Sequence, residues 1–319
     1  MRQVVAAVTA AAVMALGAST AFAGPLTTTK LAGPAGGGRI VFGAAFLGVC
    51  DPSGATVCSS DKHGRSVQAV PVPPNAQQVV FSRDAARMAF VVSGGELAVA
   101  NADGTIVTTL IDGWVQINHP SWSPDGTQIA FAGERFSGGP LTLYVINADG
   151  SGLRPVADAT SAGSFASEPA WSPDGNWIAF NSLPDSSTPG GPTNPSGIYL
   201  VHPDGTDWHR ISPTATDNDQ SPAWSPDGTR IVFARLASDW QTTHISSLWQ
   251  MRPDGTDAEQ LTTGYWDGHP IVSPDGKQIA FYRYQGAQPD PHVYVMNANG
   301  HSADQLLSIQ AAPTDWITG

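Results

Sequence analysis

The sequence of 319 residues carries 15 lysines and arginines against 27 aspartates and glutamates, which gives a net charge of −12. Such an acidic chain lacks the basic face that nucleic-acid phosphates require, and it is poorly suited to docking on an anionic membrane surface. We therefore expect no nucleic-acid partner. The length and an apolar content of 41% allow one large all-β domain with a substantial core.

The N-terminal residues have the three parts of a secretory signal peptide. Arg2 supplies a positive charge, an apolar stretch runs from Val4 to Leu16, and Ala21-Phe22-Ala23 is a small-x-small cleavage site. The apolar stretch is shorter than the roughly 20 residues that span a bilayer. We predict that residues 1–23 are a signal peptide, that residues 24–38 are a flexible lead-in, and that the mature chain has no membrane span. The protein would then be periplasmic or secreted.

The two cysteines of the sequence, Cys50 and Cys58, lie in one short segment. In an oxidising compartment such a pair is expected to form a disulfide across a hairpin connection. A redox pair or a metal clip is the alternative, but the C-x-x-C spacing that is typical of them is absent. The pair therefore predicts a covalent staple.

Four copies of one phrase, WSPDG or VSPDG, divide most of the chain into similar units. Their aspartates lie 49, 53 and 48 residues apart, a period typical of propellers and solenoids. In each unit an apolar run follows the phrase, and a second Asp-Gly or Asn-Gly turn follows another apolar strand. Because such turns indicate hairpins, each unit predicts four antiparallel strands. The copies are Trp122–Gly126, Trp171–Gly175, Trp224–Gly228 and Val272–Gly276. We expect the repeated tryptophans to pack between units.

A degenerate copy precedes these units, and the first unit lacks its own first strand. In the degenerate copy Phe81 takes the place of the tryptophan, and Arg83-Asp84-Ala85 replaces the turn. The C-terminal segment places Trp316 at the repeated tryptophan position, so it can complete the first unit and leave no unpaired edge. We predict an all-β, six-bladed β-propeller of four-stranded antiparallel blades, with its ring closed by the C-terminal strand. The propeller is predicted over 39–319, with blades at 312–319 plus 39–70, 75–110, 117–157, 167–212, 219–262 and 268–310.

The Trp-Ser-Pro-Asp-Gly turn followed by an apolar strand resembles the repeat of the TolB-like β-propeller family, over roughly residues 39–319. The resemblance implies a propeller of the cell envelope or periplasm that binds other macromolecules. TolB itself has an α/β domain before its propeller, whereas this chain enters its first predicted blade within 15 residues of the predicted cleavage site. For that reason the Tol–Pal role of TolB is not carried over to this chain.

The two faces of the predicted propeller differ in sequence. If the first strand of each blade lines the channel, the short Gly turns emerge on one face, the Gly-turn face. The connections on the opposite face, the loop face, are long and differ from unit to unit. Binding residues usually lie on variable loops held by a rigid scaffold. Aromatic side chains of the loop face are candidates for binding protein or glycan, although some are expected to pack between blades. The candidates are Trp114, Trp240, Trp266 and Tyr284.

One position of the repeat predicts a ring of polar side chains around the channel mouth. The residue before the repeated proline is a histidine, a glutamate, a serine or, in the degenerate copy, Gln78. We expect the channel to be too wide for opposing side chains to meet without help from loops. The ring and the carboxylates just before it are candidate ligand-binding residues. The ring comprises His119, Glu168, Ser221 and His269, and the carboxylates belong to Asp217, Asp219 and Asp267.

Three interpretations of the ring remain open. Its side chains line a solvated channel, contact a ligand or partner, or bind a divalent transition metal through His119, Glu168 and His269. We predict no cofactor and assign no metal site, and these three residues are the candidate ligands if a metal is bound.

The sequence contains no familiar catalytic motif. Nucleophile-elbow, zinc-protease, P-loop and dinucleotide-binding patterns are all absent, so we predict no catalytic residue. The sequence favours an exported, monomeric, non-catalytic binding or scaffold protein of the cell envelope, with an envelope protein or glycan as its partner on the loop face. The alternative is a hydrolase or lyase with a metal or acid/base site at the channel mouth.

Overall fold

A computed structural model describes residues 38–44, 57–72, 76–93, 95–157, 164–184, 196–214, 218–239, 243–285 and 291–317. These residues form an all-β propeller, as the repeats predict. The signal peptide, most of the lead-in and Cys50 lie outside the described ranges, so signal cleavage and the disulfide stay predictions. Within the described ranges, no helix has the length and apolar character needed to cross a bilayer.

The strands follow one another as short antiparallel segments joined by turns. In chain order they are β1 (Arg39–Ala44), β2 (Val57–Ser60), β3 (Gln68–Ala69), β4 (Ala76–Phe81), β5 (Arg87–Val92), β6 (Glu96–Asn101), β7 (Ile106–Ile111), β8 (Gln116–Trp122), β9 (Gln128–Glu134), β10 (Thr142–Asn147), β11 (Arg154–Ala157), β12 (Ser164–Trp171), β13 (Ile178–Pro184), β14 (Gly197–Val201), β15 (His209–Arg210), β16 (Asn218–Trp224), β17 (Ile231–Leu236), β18 (Ser246–Met251), β19 (Glu259–Gln260), β20 (Trp266–Val272), β21 (Gln278–Tyr284), β22 (His292–Asn297) and β23 (Asp304–Ile317). Several outermost strands, such as β15 and β19, are only two residues long. They leave little edge for pairing with another chain.

Three units form separate sheets, and the remaining strands are joined. β4–β7, β8–β11 and β12–β15 are four-stranded sheets, whereas the other strands belong to one 11-stranded sheet. Part of this joining is a parallel bridge between Ser246 of β18 and Trp266 of β20. The sequence predicts purely antiparallel blades, and this bridge is a departure from it. It forms because Ser246 N donates to Tyr265 O at 3.0 Å and Ser246 Oγ donates to Asp267 O.

The C-terminal strand closes the ring, as predicted. The first half of β23 pairs with β22, with Asp304 opposite Val295. Its second half pairs antiparallel with β1, and Trp316 lies opposite Ile40. Trp316 is buried in a core cluster that contains residues of both β1 and β22. One strand therefore belongs to the last repeat unit and to the first unit at once.

The hydrophobic core is divided among the gaps between neighbouring sheets. The cluster around Trp122 joins Val91 and Leu97 of one sheet to Ile129 and Phe131 of the next. Trp122, Trp171 and Trp316 are 8%, 9% and 6% exposed. The prediction that the repeated tryptophans pack between units is confirmed for these three.

A serine–aspartate pair shapes the repeated turn. Ser123 Oγ donates to Asp125 Oδ1 at 2.6 Å, and this bond, together with a backbone N–H, lowers the pKa of Asp125. Gly126 then adopts a φ of +69°, a left-handed conformation that glycine tolerates. In the degenerate copy Ser82 Oγ donates to Asp84 Oδ1 at the same distance of 2.6 Å. The turn geometry therefore survives the loss of the consensus sequence.

Two buried tryptophans differ in whether the indole N–H makes a hydrogen bond to the neighbouring blade. Trp122 Nε1 donates to Val80 O at 3.1 Å, whereas the buried Nε1 of Trp171 has no hydrogen-bond partner. Because Trp122→Phe leaves a carbonyl unpaired, we expect it to reduce the free energy of unfolding by about 1 kcal/mol more than Trp171→Phe. Urea denaturation of the two variants measures the difference, and equal losses would contradict this assignment.

A partly buried carboxyl group lies at the seam where the ring closes. Asp315 Oδ2 accepts a hydrogen bond from Phe81 N at 2.6 Å, and its Oδ1 accepts one from Trp316 N at 2.7 Å. Burial raises the pKa of Asp315 to about 6, although the two N–H donors act to lower it. The group therefore links the first and second blades and titrates close to neutral pH.

This raised pKa predicts a pH-dependent stability. Because the folded pKa of about 6 exceeds the ordinary value of 3.8, the folded state holds the proton more tightly than the unfolded state. The resulting stabilisation is complete below about pH 4 and is lost as the pH rises through about 6. We expect the wild type to lose about 3 kcal/mol more than Asp315→Asn across this window. Urea denaturation of both proteins at a series of pH values measures this, and parallel curves would disprove it.

Candidate functional site

Five inner strands contain the same irregularity. In β8 the register with β9 shifts between Asn118, opposite Ala132, and Ser121, opposite Ala130. The residue before the repeated proline, or its equivalent in the degenerate copy, lies in this bulge with a φ between +45° and +54°. Such values are uncommon for residues other than glycine, and bulges re-aim side chains. The bulge residues are Gln78, His119, Glu168, Ser221 and His269.

The bulges bring side chains of different blades together. The rings of His119 and His269 stack with centroids 5.8 Å apart, although the inner strands β12 and β16 lie between β8 and β20 around the ring. Ligand atoms of His119, Glu168 and His269 all lie within 4.8 Å of one another. The expectation that opposing side chains fail to meet was wrong, because it took no account of the bulges. We call these three residues the channel cluster; they lie midway along the inner strands, deeper than the predicted mouth.

Glu168 is fixed through one of its carboxylate oxygens. Its Oε2 accepts hydrogen bonds from Ser221 N at 2.7 Å and Ser221 Oγ at 3.1 Å. The Asn181 amide, oriented to satisfy its neighbours, donates to the same oxygen at 3.1 Å. The other oxygen, Oε1, lies 4.0 Å from His119 Nε2 and 3.7 Å from His269 Nε2. Both distances exceed hydrogen-bonding range, so Oε1 faces the imidazoles without touching them.

The His119 side chain is 23% exposed, between Glu168 at 12% and His269 at 38%. Burial lowers the pKa of His119 to about 4; the Glu168 carboxylate opposes this effect and His269 adds to it. The imidazole is therefore neutral at physiological pH and presents a lone pair. Gln78 Oε1 accepts a hydrogen bond from His119 N and so ties the degenerate copy to the cluster. His119 Nδ1 is buried without a hydrogen-bond partner, which is unusual for a polar atom in a protein interior.

Two residues beside the cluster were missed by the sequence analysis. Tyr282 lies with its ring centroid 5.3 Å from that of His269, and Asn181 contacts Glu168. Both follow the phenylalanine of the apolar run, where the other units have alanine, valine or glycine. That difference at the end of otherwise similar runs is the signal that would have identified them. Tyr282 has room because its cross-strand partner is Gly268, where a Cβ atom would lie 2.5 Å from the phenol oxygen.

The predicted aspartates are held away from the cluster. Asp219 is fully buried and binds Arg235 through two hydrogen bonds of 2.7 and 2.9 Å. Asp267 is likewise fully buried and binds Arg283 at 2.7 and 2.8 Å. Each pair joins opposite residues of adjacent strands, so these carboxylates are neutralised inside their own blades. Asp217 lies outside the described residues.

The predicted aromatic residues divide into two groups. Trp266 and Tyr284 are half-buried and stack with centroids 4.5 Å apart, at the loop-face ends of β20 and β21. Tyr284 meets Tyr282 edge-on at 5.5 Å. Trp266, Tyr284 and Tyr282 thus form a continuous row of rings, the aromatic row, which runs from the loop face to His269. Trp114 instead packs against the inter-blade core, 4.9 Å from Tyr144. Trp240 lies outside the described residues.

Several solved structures have a similar fold. A putative TolB from Agrobacterium tumefaciens is 21% identical, with a TM-score of 0.60 over 74% of this chain and 83% of that chain. TolB from Acinetobacter baumannii is 16% identical, with a TM-score of 0.64 over 88% of this chain and 66% of that chain. An oligogalacturonate lyase in complex with manganese is 17% identical, with a TM-score of 0.56 over 84% of this chain and 73% of that chain. At such identities these matches show the fold alone.

The sequence comparisons identify the family. No curated protein matches the chain. A family model described as TolB beta propeller domain matches residues 81–316, which is well over half of the sequence. That stretch includes the turn of the degenerate copy, the four repeated turns and the closing tryptophan. The chain therefore belongs to the TolB beta propeller domain family.

Proposed function

We propose that this protein is an exported, six-bladed β-propeller that binds a glycan of the cell envelope through its loop face, without catalysing a reaction on it. The observation that carries the proposal is the aromatic row, which leads from the loop face to polar side chains in the channel. Sites for small molecules commonly combine aromatic walls with a few placed polar groups.

The count of six blades is supported by strand pairing and by the cores. β4–β7, β8–β11, β12–β15 and β16–β19 each form one group of four strands. β20–β22 with the first half of β23 form another, and the second half of β23 with β1–β3 forms the last. A core cluster lies between every two successive groups, including the last group and the first, and the first group and the second. This arrangement gives a rigid disc on which loops are presented.

The chemistry of the aromatic row favours a glycan over a protein. Its rings combine apolar surface with polar edges, and His244 lies beside Trp266 with ring centroids 6.3 Å apart. Such amphipathic surfaces suit sugar rings, whose faces are apolar and whose rims carry hydroxyl groups. The likeness in fold to an oligogalacturonate lyase, which by its name acts on an oligosaccharide, supports the same choice.

Replacing two rings of the row tests glycan binding. We expect the wild type to be retarded in gels that contain an envelope polysaccharide, and Trp266→Ala/Tyr284→Ala to bind at least about tenfold more weakly because stacking area is lost. Trp208→Ala is the matched control, since Trp208 is 39% exposed and follows a turn of the Gly-turn face. Lack of retardation by peptidoglycan and by both neutral and acidic exopolysaccharides would refute glycan binding, as would equal losses in both variants.

Export is tested by the mass of the secreted protein. We expect intact-mass spectrometry of the non-reduced protein to give a chain that begins at Gly24. Reduction is expected to add the mass of two hydrogen atoms, because Cys50 and Cys58 form a disulfide in an oxidising compartment. Cys50→Ser should abolish that mass change. A chain that retains residues 1–23, or one unchanged by reduction, would contradict the corresponding prediction.

Catalysis at the channel cluster is a second candidate function. Two imidazoles, a carboxylate and the phenol of Tyr282 lie together, and such groups serve as general acids and bases in hydrolases and lyases. The glycan assay distinguishes the two functions. Release of shorter oligosaccharides by the wild type, abolished in Glu168→Gln, would establish an enzyme, whereas retention without cleavage supports a binding protein.

A further inference from the structure

We propose that the channel cluster is a binding site for a divalent transition metal ion, held by imidazole nitrogens of His119 and His269 and by the Oε1 atom of Glu168. This inference goes beyond the proposed function, because glycan binding by the aromatic row does not require a metal. It also stands if the aromatic row binds nothing.

The spacing of the three groups fits a shared central ion. Glu168 Oε1 lies 3.7 Å from His269 Nε2 and 4.0 Å from His119 Nε2, too far for hydrogen bonds. Ligands about 2.1 Å from a tetrahedral metal lie about 3.4 Å apart. The two separations from Oε1 exceed that value by about 0.3 and 0.6 Å, and the ligand atoms of all three residues lie within 4.8 Å of one another. Rotations of the side chains that draw the two imidazoles towards Oε1 would bring the three atoms to the spacing of a tetrahedral site. The cluster therefore has the dimensions of a metal site, although its groups do not hydrogen-bond to one another.

The surroundings of Glu168 leave the required oxygen available. Ser221 and Asn181 occupy Oε2, which orients the carboxylate and directs Oε1 towards the histidines. Metal-binding carboxylates are commonly held in this way by hydrogen bonds to the non-ligating oxygen. Among the described residues, the basic side chains that lie within 4.0 Å of a Glu168 oxygen are the two imidazoles. The nearby arginines Arg235 and Arg283 are bound to their own aspartates.

The donor set selects a class of metal. Two imidazole nitrogens and one carboxylate oxygen suit zinc, iron, cobalt or manganese, whereas magnesium and calcium prefer sets made of oxygen alone. Three protein ligands leave positions for water or for a ligand that enters the channel. The buried Nδ1 of His119, which lacks a hydrogen-bond partner, is a second imidazole nitrogen capable of metal binding.

The backbone holds the ligands in position before any ion binds. All three ligand residues have left-handed backbone conformations, with φ values of +51°, +53° and +45°. Such conformations are strained for residues with a side chain and persist where the surrounding structure imposes them. Because the fold already imposes these conformations, metal binding requires little further change in the backbone.

Metal titration of the untagged protein tests the proposal. After chelator treatment and dialysis, we expect calorimetry to show one zinc ion bound per chain, and cobalt to give the visible absorption of a site with nitrogen ligands. His119→Gln/His269→Gln should weaken binding by at least about tenfold and abolish the cobalt spectrum. Magnesium and calcium should not compete.

A double variant on another part of the surface provides the control. His202 and His209 flank Trp177, with ring centroids 3.8 and 5.5 Å from it, so His202→Gln/His209→Gln removes two imidazoles away from the channel. This variant should bind metal as the wild type does. If the channel double variant misfolds by circular dichroism, Glu168→Gln replaces it, because glutamine has the same size and keeps one acceptor oxygen. Absence of zinc and cobalt binding to the wild type, or equal binding by the channel and control variants, would overturn the proposal.

Discussion

Closure of the ring by one shared strand is the constraint on which the rest of the molecule depends. β23 supplies the outer strand of the last blade and the inner strand of the first, so neither β22 nor β1 is left with an open edge. The opposing positions of β8 and β20 follow from this closure. His119 and His269 come from strands far apart in sequence, and they stack only because the sheets return on themselves. The seam is therefore a condition for the channel cluster as well as for stability.

A second constraint acts within each inner strand. Glutamine, histidine, glutamate and serine all adopt nearly the same left-handed conformation at the ring position. Since these side chains have little in common, the repeat sets the backbone there and the residue type does not. Conformations of this kind cost on the order of 1–3 kcal/mol each, which packing in the inter-blade cores must offset. The repeat thus fixes where each ring side chain points and leaves its chemistry free to vary.

The sequence was sufficient to predict the fold and part of the candidate site. Regular Asp-Gly turns fixed the strand order, and the position of Trp316 predicted the closing strand, because both depend on local turn chemistry and on counting. Spacing also identified His119, Glu168, Ser221 and His269 as equivalent. The spacing could not predict the distances between these side chains, because a β-bulge changes backbone direction without changing the number of residues between repeats.

Contacts between paired strands predict which residues contribute to the site better than proximity in sequence does. Asp219 and Asp267 stand two residues before ring positions, which suggested a shared function, but the bulge separates them from the ring. Each meets the arginine opposite it in the next strand. Tyr282 and Asn181 likewise lie opposite residues of the adjacent inner strand, and their side chains reach the channel from there. These contacts depend on register, which could be assigned only after the bulges were known.

Charge balance distinguishes Glu168 from the paired aspartates Asp219 and Asp267. Asp219 and Asp267 each face a guanidinium at hydrogen-bonding distance, so each pair is neutral and its desolvation is offset by charge-assisted bonds. Glu168 is held by neutral donors from Ser221 and Asn181, and it faces a histidine that burial keeps neutral. Hydrogen bonds on Oε2 orient the carboxylate without cancelling its charge. A partly buried anion of this kind lowers the electrostatic potential inside the channel, so the channel attracts cations, whereas the paired aspartates stiffen the blades that surround it.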